Sequence, residues 1–196
     1  MLLDPTAPRA FVDETFREDS TAGFYVLAAV VLGPSAQDEV TVGMLRLRGR
    51  RRMAKLNWSQ MDHPQRKAAA TQLAGADGLH VAVVGTPVPR RRQERARALC
   101  LTALVPDLHE RGVPEILIEA RTPELDRRDI ETIRGVRFGL PRHTTLWARH
   151  VPGAEQPLLW AADIVAGAVR ADHDGAGEYR EILAERIHEI RVSMSC

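Results

Sequence analysis

Three carboxylates stand where carboxylates are uncommon. Asp13 ends the apolar run Ala10-Phe11-Val12, Glu119 ends Ile116-Leu117-Ile118, and Asp163 is the sole ionisable residue between Leu158 and Val169. Asp163 is the sharpest case. Its helical neighbours three and four positions away are Leu159, Trp160, Ala166 and Gly167, and a helix that is apolar all round is buried. An unpaired buried carboxylate is costly, so Asp163 requires partners: an arginine, backbone donors, or a divalent cation shared with other acids. Hard cations such as magnesium and manganese bind one or two carboxylates each and keep some waters. Two such ions about 3.5–4 Å apart can clamp the attacking and leaving oxygens of a phosphodiester. Taken singly, each acid has a plainer explanation: Asp13 caps a turn, Glu119 pairs with Arg121 or Arg149, and Asp163 forms a structural ion pair. Together and in this order, they favour a metal centre assembled where different elements meet at one edge of a sheet.

The elements that must position them follow from the apolar pattern. Residues 9–13 read as a strand, and 24–32 (FYVLAAVVL) as a buried strand stopped by Gly33-Pro34, so the pair predicts an antiparallel hairpin. Ser35 is placed to cap a helix reaching about Gly49, and Pro64 opens a second one to about Ala74. Residues 79–84 predict a strand, 91–111 a long helix bent at Pro106, 115–119 a strand, and 123–133 a helix. Residues 144–151 read as the last strand, 158–170 as an apolar helix, and 177–191 as an amphipathic helix with Tyr179, Ile182, Leu183, Ile187 and Ile190 on one face. A hairpin, an inserted helical section at about 35–75, and then alternating strands and helices define an α/β class with a mixed sheet. No repeat or linker divides residues 1–196, so one domain is expected.

Composition narrows the function classes. With 44% hydrophobic and 27% charged residues, the chain matches a globular protein and not a disordered one. Cys100 and Cys196 lie far apart and suit a reducing cytoplasm. The opening MLLDPTAPRA has no basic leader ahead of an apolar stretch, so no signal peptide is expected, and the apolar runs are too short or too interrupted to span a bilayer. Net charge is +1, yet Arg46, Arg48, Arg50, Arg51, Arg52 and Lys55 form one basic block and Arg90, Arg91, Arg92, Arg95 and Arg97 another. Such patches suit a polyanion partner and equally suit a solvated surface. His143 and His150 do not have zinc-site spacing, and no nucleophile elbow, phosphate loop or dinucleotide fingerprint is present. The Asp172-His173-Asp174-Gly175 run lacks the remaining oxygen ligands of a calcium loop.

The run Phe11-Val12-Asp13-Glu14, the apolar return strand after it, and the closing segment Leu158-Leu159-Trp160-Ala161-Ala162-Asp163-Ile164-Val165-Ala166-Gly167-Ala168 resemble the domain of unknown function family 3800. That family lies in the ribonuclease H-like superfamily, and its members look like metal-dependent nucleases. Its Asp-Glu-Ser-Gly box is matched by Asp13-Glu14 and departs at Thr15-Phe16; its Ala-Asp followed by small apolar residues is matched by Ala162-Asp163. Lys55 and Asn57-Trp58 are similar to its Lys-x-His-Trp segment, with asparagine in place of histidine. The resemblance covers residues 9–171.

It implies a ribonuclease H-like mixed sheet flanked by helices and a magnesium or manganese ion held by Asp13, Glu119 and Asp163. Glu14 would assist or cap the hairpin, and Asp126 and Asp129 compete with Glu119 for the middle position. Lys55, Arg50, Arg51, Arg52 and Arg121 would hold the backbone of RNA, DNA or a hybrid. Trp58, where exposed, would stack on an unpaired base, with core packing as the equal alternative. Two rival expectations are a catalytically silent module binding nucleic acid or a protein, and a small-nucleotide hydrolase. A homodimer is compatible with the sequence, which does not fix an oligomeric state.

Overall fold

The computed structural model describes residues 6–19, 23–49, 54–142 and 144–194. Arg50, Arg51, Arg52, His143 and Cys196 therefore lie outside the described residues. The chain opens with the hairpin β1 (Arg9–Arg17) and β2 (Phe24–Leu32), in which Asp13 faces Ala28 across an antiparallel ladder. β2 is buried at every position, as a strand covered on both faces must be, so its sequence shows no alternation.

The expected helical insertion follows. It consists of α1 (Pro34–Arg48), a single 3-10 turn at Trp58–Gln60, and α2 (His63–Gly75). α1 is capped by the backbone at Gly33 and not by the Ser35 side chain. α2 starts with a reciprocal cap in which the Asp62 carboxylate accepts from the Gln65 N–H and the Gln65 side chain accepts from the Asp62 N–H. Then come β3 (Gly78–Thr86), α3 (Gln93–Glu110), β4 (Glu115–Glu119), α4 (Pro123–Arg137), β5 (Trp147–Val151), α5 (Pro157–His173), α6 (Glu178–Ile182) and β6 (Ile187–Ser193). α3 continues as one helix through Pro106.

The six strands lie in the order β5-β4-β1-β2-β3-β6. β1, β2 and β3 run antiparallel in turn, while β4 joins β1, β5 joins β4, and β6 joins β3 in parallel. Because strand side chains alternate, the sheet has two core layers. Phe11, Val26, Ala28 and Val30 pack with residues of α1, α2 and α5, whereas Val12, Leu27, Ala29 and Val83 pack with residues of α3 and α4. Among the described residues, no helix is long and apolar enough to cross a membrane.

One element corrects the sequence expectation. Residues 177–191 do not form an amphipathic helix: α6 stops at Ile182, a 3-10 turn spans Ala184–Arg186, and β6 runs beside β3 with Ile187 level with His80. Ile187 and Ile190, three apart, would share a helix face, but in a strand they point oppositely. Ile187 packs with the first core layer and Ile190 with the second. Pairing along the β3 edge outweighs the local helical period. β5 is consequently not the last strand.

A second correction concerns Arg97, which the basic block offered equally to a polyanion partner and to a solvated surface. It is 1% exposed. Its guanidinium donates to Asp129 at 2.8 and 2.9 Å, to the Tyr25 hydroxyl at 3.1 Å, and meets Glu14 at 2.6 Å. Asp129 also takes His150 at 3.0 Å and Arg121 at 3.2 Å. One buried network thus ties α3, α4, β1, β2 and β5 together. Removing Arg97 takes the buried counter-charge from Glu14 and leaves Asp129 with only His150 and Arg121. Arg97→Ala should therefore lose about 3–5 kcal/mol in urea unfolding. A loss under about 1 kcal/mol would show that the network is not what fixes these elements.

Candidate metal centre

The β1–β4 ladder ends at Val12 opposite Ile118. One residue further, the same register sets Asp13 beside Glu119, the last residue of β4. Both point to the face that Phe11 and Leu117 share, which α5 covers. α5 brings Asp163 onto that face from its apolar middle. The three acids line one cavity of about 740 Å³, together with Lys55, Trp58 and Arg170.

Each carboxylate gives one oxygen to a donor of the protein. Asp13 Oδ1 accepts the Glu14 N–H at 2.8 Å, and Asp163 Oδ2 accepts the Trp58 N–H at 2.6 Å. Glu119 Oε1 accepts from Lys55 Nζ, while its Oε2 is buried with no hydrogen-bond partner among the described residues. Two glycines make this closeness possible. A Cβ at position 153 would lie 2.6 Å from Glu119 Oε1, and one at position 167 would lie 2.2 Å from Trp58 Cγ. Gly167 is one helical turn beyond Asp163, so adjacent steps of α5 take the Trp58 ring and its N–H.

The electrostatics follow from that crowding. Burial, then the charges of Glu14, Glu119 and Asp163, hold the Asp13 carboxyl well above the usual range. Asp163 is pushed up to about 6, chiefly by burial and further by Glu119 and Glu14, against the pull of the Trp58 N–H and Lys55. Burial opposes the charge on Lys55, but the hydrogen bond and charge of Glu119, with the charges of Asp13 and Asp163, prevail and raise its pKa. Converging hard oxygen donors, mutual repulsion and an orphaned Glu119 oxygen fit a divalent cation held by Asp13, Glu119 and Asp163.

The other acidic candidates are engaged by other partners. Glu14, next along β1, turns its carboxylate to the opposite sheet face and Arg97. Asp126, Asp129 and His150 offer ligand atoms within 4.8 Å of one another. Although burial alone would raise Asp129, hydrogen bonds from His150 and Arg97 and the charges of Arg97 and Arg121 lower it to about 2. Asp126 accepts the Arg121 N–H at 2.9 Å. Two guanidiniums already neutralise that cluster, and neither aspartate lines the cavity. Arg121 borders the cavity while paired with Glu94 at 2.7 Å.

Trp58 corrects the stacking expectation, since it is only 7% exposed. Its ring fits the Gly167 slot, meets Tyr179 edge-on at 5.1 Å, and lies under the Arg66 guanidinium at 5.0 Å. Sequence reasoning missed Gly167, Gly153 and Arg170. Arg170 borders the cavity and donates to Thr15 Oγ1 and the Phe16 carbonyl, both at 3.2 Å. Its position two turns after Asp163 on α5 was the available signal.

A mixed sheet in this order, with an antiparallel β1–β2–β3 meander, parallel β4 and β5 beside β1, and acids at the ends of β1 and β4, defines a ribonuclease H-like α/β architecture. The solved structure of the PCNA:RNase HII complex from Archaeoglobus fulgidus matches it with a TM-score of 0.51 and 16% identity, over 90% of this chain and 76% of that one. At such identity the likeness is one of fold. No family model matches the sequence, and no curated protein matches it.

Two outcomes follow. The folded protein keeps a proton on Asp163 up to about pH 6, whereas the unfolded chain loses it near about pH 4. Stability from this group is therefore full below about pH 4 and lost as pH rises to about 6. In chelator at pH 7.5, Asp163→Asn should melt about 2–4 °C higher than the native chain, with the gain gone near pH 4; a lower melting temperature at pH 7.5 would contradict the crowding. Gly167→Ala should lose about 1–3 kcal/mol in urea unfolding, because the Trp58 ring has no room to retreat.

Proposed function

We propose that this chain is a divalent-metal-dependent phosphodiesterase acting on nucleic acid, related to the domain of unknown function family 3800. The observation that carries this reading is the convergence of Asp13, Glu119 and Asp163 in one cavity, with a buried Glu119 oxygen that has no partner among the described residues. Asp13, Glu119 and Asp163 would hold magnesium or manganese. When bound, the ion supplies Lewis-acid stabilisation of the charge that develops around the phosphorus. The remaining work belongs to the chain. The Trp58 N–H keeps Asp163 aimed, the Glu14 N–H does the same for Asp13, and α5 closes the cavity from behind. Arg66, Arg121 and Arg170 border the cavity with positive charge that a phosphate backbone can follow. Arg50, Arg51 and Arg52 are further positive charges in the sequence, and Glu14 serves the site through its backbone. The RNase HII chain in the matched complex lends its fold to a nuclease, and the substrate class here is RNA, DNA or their hybrid. Buried Cys100, a free thiol, suits a cytoplasmic setting.

The test is direct. Native protein titrated with manganese in a calorimeter should bind it at millimolar concentration or below and, so loaded, cleave single strands, duplexes or hybrids. Asp163→Asn should stay folded yet lose both properties. Cleavage should fall as salt rises from about 50 to about 200 mM, the signature of phosphate contacts. No manganese binding by the native chain would end this reading, and a salt-independent rate would redirect it to a small nucleotide.

A further inference from the structure

We infer that Phe16 is a stacking platform for one unpaired nucleobase at the mouth of the cavity, so that the strand taken is single beside the scissile phosphate. This rests on the metal-dependent reading and names its substrate class. β4 ends at Glu119, level with Asp13, whereas β1 runs on to Arg17 in its pairing with β2. The overhanging part of β1 lines the cavity with Glu14, Thr15 and Phe16. Phe16 lies three residues beyond Asp13, about 10 Å along an extended strand. That is the reach of the nucleotide next to a phosphate held at the acids.

Phe16 is 43% exposed. The other large exposed hydrophobics, Val42, Leu45, Phe138 and Trp147, do not line the cavity, and Trp58 and Tyr179 line it but are buried. Among the described residues, Phe16 is therefore the exposed aromatic ring that the cavity offers. It is also held in place. Its cross-strand partner is Tyr25, and the two rings stack with centroids 6.1 Å apart and planes within 4°, as in an offset aromatic pair. Tyr25 is itself buried, and its hydroxyl accepts from the Arg97 guanidinium at 3.1 Å. Arg170 donates to the Phe16 carbonyl at 3.2 Å. With one side of the ring laid on Tyr25, the exposed side is turned to the cavity mouth, and its rotamer is set before a base arrives. A base inside a duplex has both faces covered by its neighbours, so only an unpaired base can bring a face to this ring. Stacking needs a π-face and not a net charge. Glu14 and Asp174, which also line the cavity and pair with Arg97 and Arg17, therefore do not decide it.

A single-stranded oligonucleotide carrying 5-iodouracil, a base that crosslinks under ultraviolet light to an aromatic ring stacked on it, tests this on the full chain in chelator at low salt. The native chain should bind the strand, crosslink at Phe16 by mass spectrometry, and bind a blunt duplex of the same sequence more weakly. Phe16→Ala and Phe16→Leu should bind the strand about fivefold to a hundredfold more weakly and lose the crosslink, while Phe16→Tyr should keep both. Phe16→Leu retains apolar contact with Tyr25, so it decides the matter should Phe16→Ala not fold. With manganese present, the same loss should appear in kcat/KM on single strands. Unchanged strand affinity in Phe16→Leu, or a native preference for blunt duplex, would overturn the inference while leaving metal-dependent cleavage intact. A native chain that crosslinks at Phe16 but binds no manganese would keep the platform and end only the metal-dependent reading.

Discussion

Repulsion among Asp13, Glu119 and Asp163 is the constraint to which the rest of the structure answers. Burial is the first reason that Asp13 and Asp163 are held above the usual carboxylate range, and the charges of neighbouring acids add to it. A chain selected for stability alone would place apolar residues there. Every close contact around the acids instead lessens their charge without removing it. Lys55 takes one oxygen of Glu119, and backbone N–H groups take one each from Asp13 and Asp163. Glu119 Oε2 has no hydrogen-bond partner among the described residues. The charge of the three acids is thus relieved only in part.

Strand alternation keeps this charge apart from a second set of ions a few ångströms away. Asp13 and Glu14 are consecutive, so they face opposite sides of β1. Asp13 enters the cavity under α5, while Glu14 enters the Arg97 network under α3 and α4. The two assemblies use similar residue types to opposite ends. On the α3 side arginines and a histidine satisfy the acids, and Asp129 falls to about 2 because hydrogen bonds and opposite charges overcome burial. On the α5 side burial and neighbouring acids outweigh the donors, and the Asp13 and Asp163 carboxyls are pushed up. The two assemblies differ in the sign of the shift rather than in the presence of carboxylates.

Much of the architecture was legible in the chain because the sheet is central and its strands declare themselves. The apolar run of β2, the short apolar run ending in Glu119, and the apolar stretch around Asp163 need only local pattern to be read. The same pattern misled at residues 177–191, where Ile187 and Ile190 suit a helix by spacing and a strand by pairing, and only the open edge of β3 decides between them. Burial of Arg97 was hidden for a related reason, and for Trp58 packing and stacking stood equal. A basic run and an indole say nothing alone about the Asp129 carboxylate or the Gly167 slot that receives them. The three acids were found because an unpaired charge in an apolar setting is itself a signal. Their counterions were not, since pairing is a property of the folded neighbourhood.

The helical insertion gives this fold its particular character. In a bare β1–β2–β3 meander, the face of α5 carrying Asp163 would be open to water, and its carboxyl would have little reason to be shifted. Here the segment between α1 and α2 lays Trp58 on Gly167, directs a backbone N–H at Asp163, and sets Lys55 against Glu119. These contacts depend on one another. Without the glycine the ring cannot seat, without the ring the N–H is not aimed, and without that anchoring Lys55 loses its place three residues upstream. The common sheet collects the acids, but the insertion determines how much of their charge is left for a cation to neutralise. The inserted segment therefore sets the surroundings of Asp163 and Glu119 without altering the order of the strands.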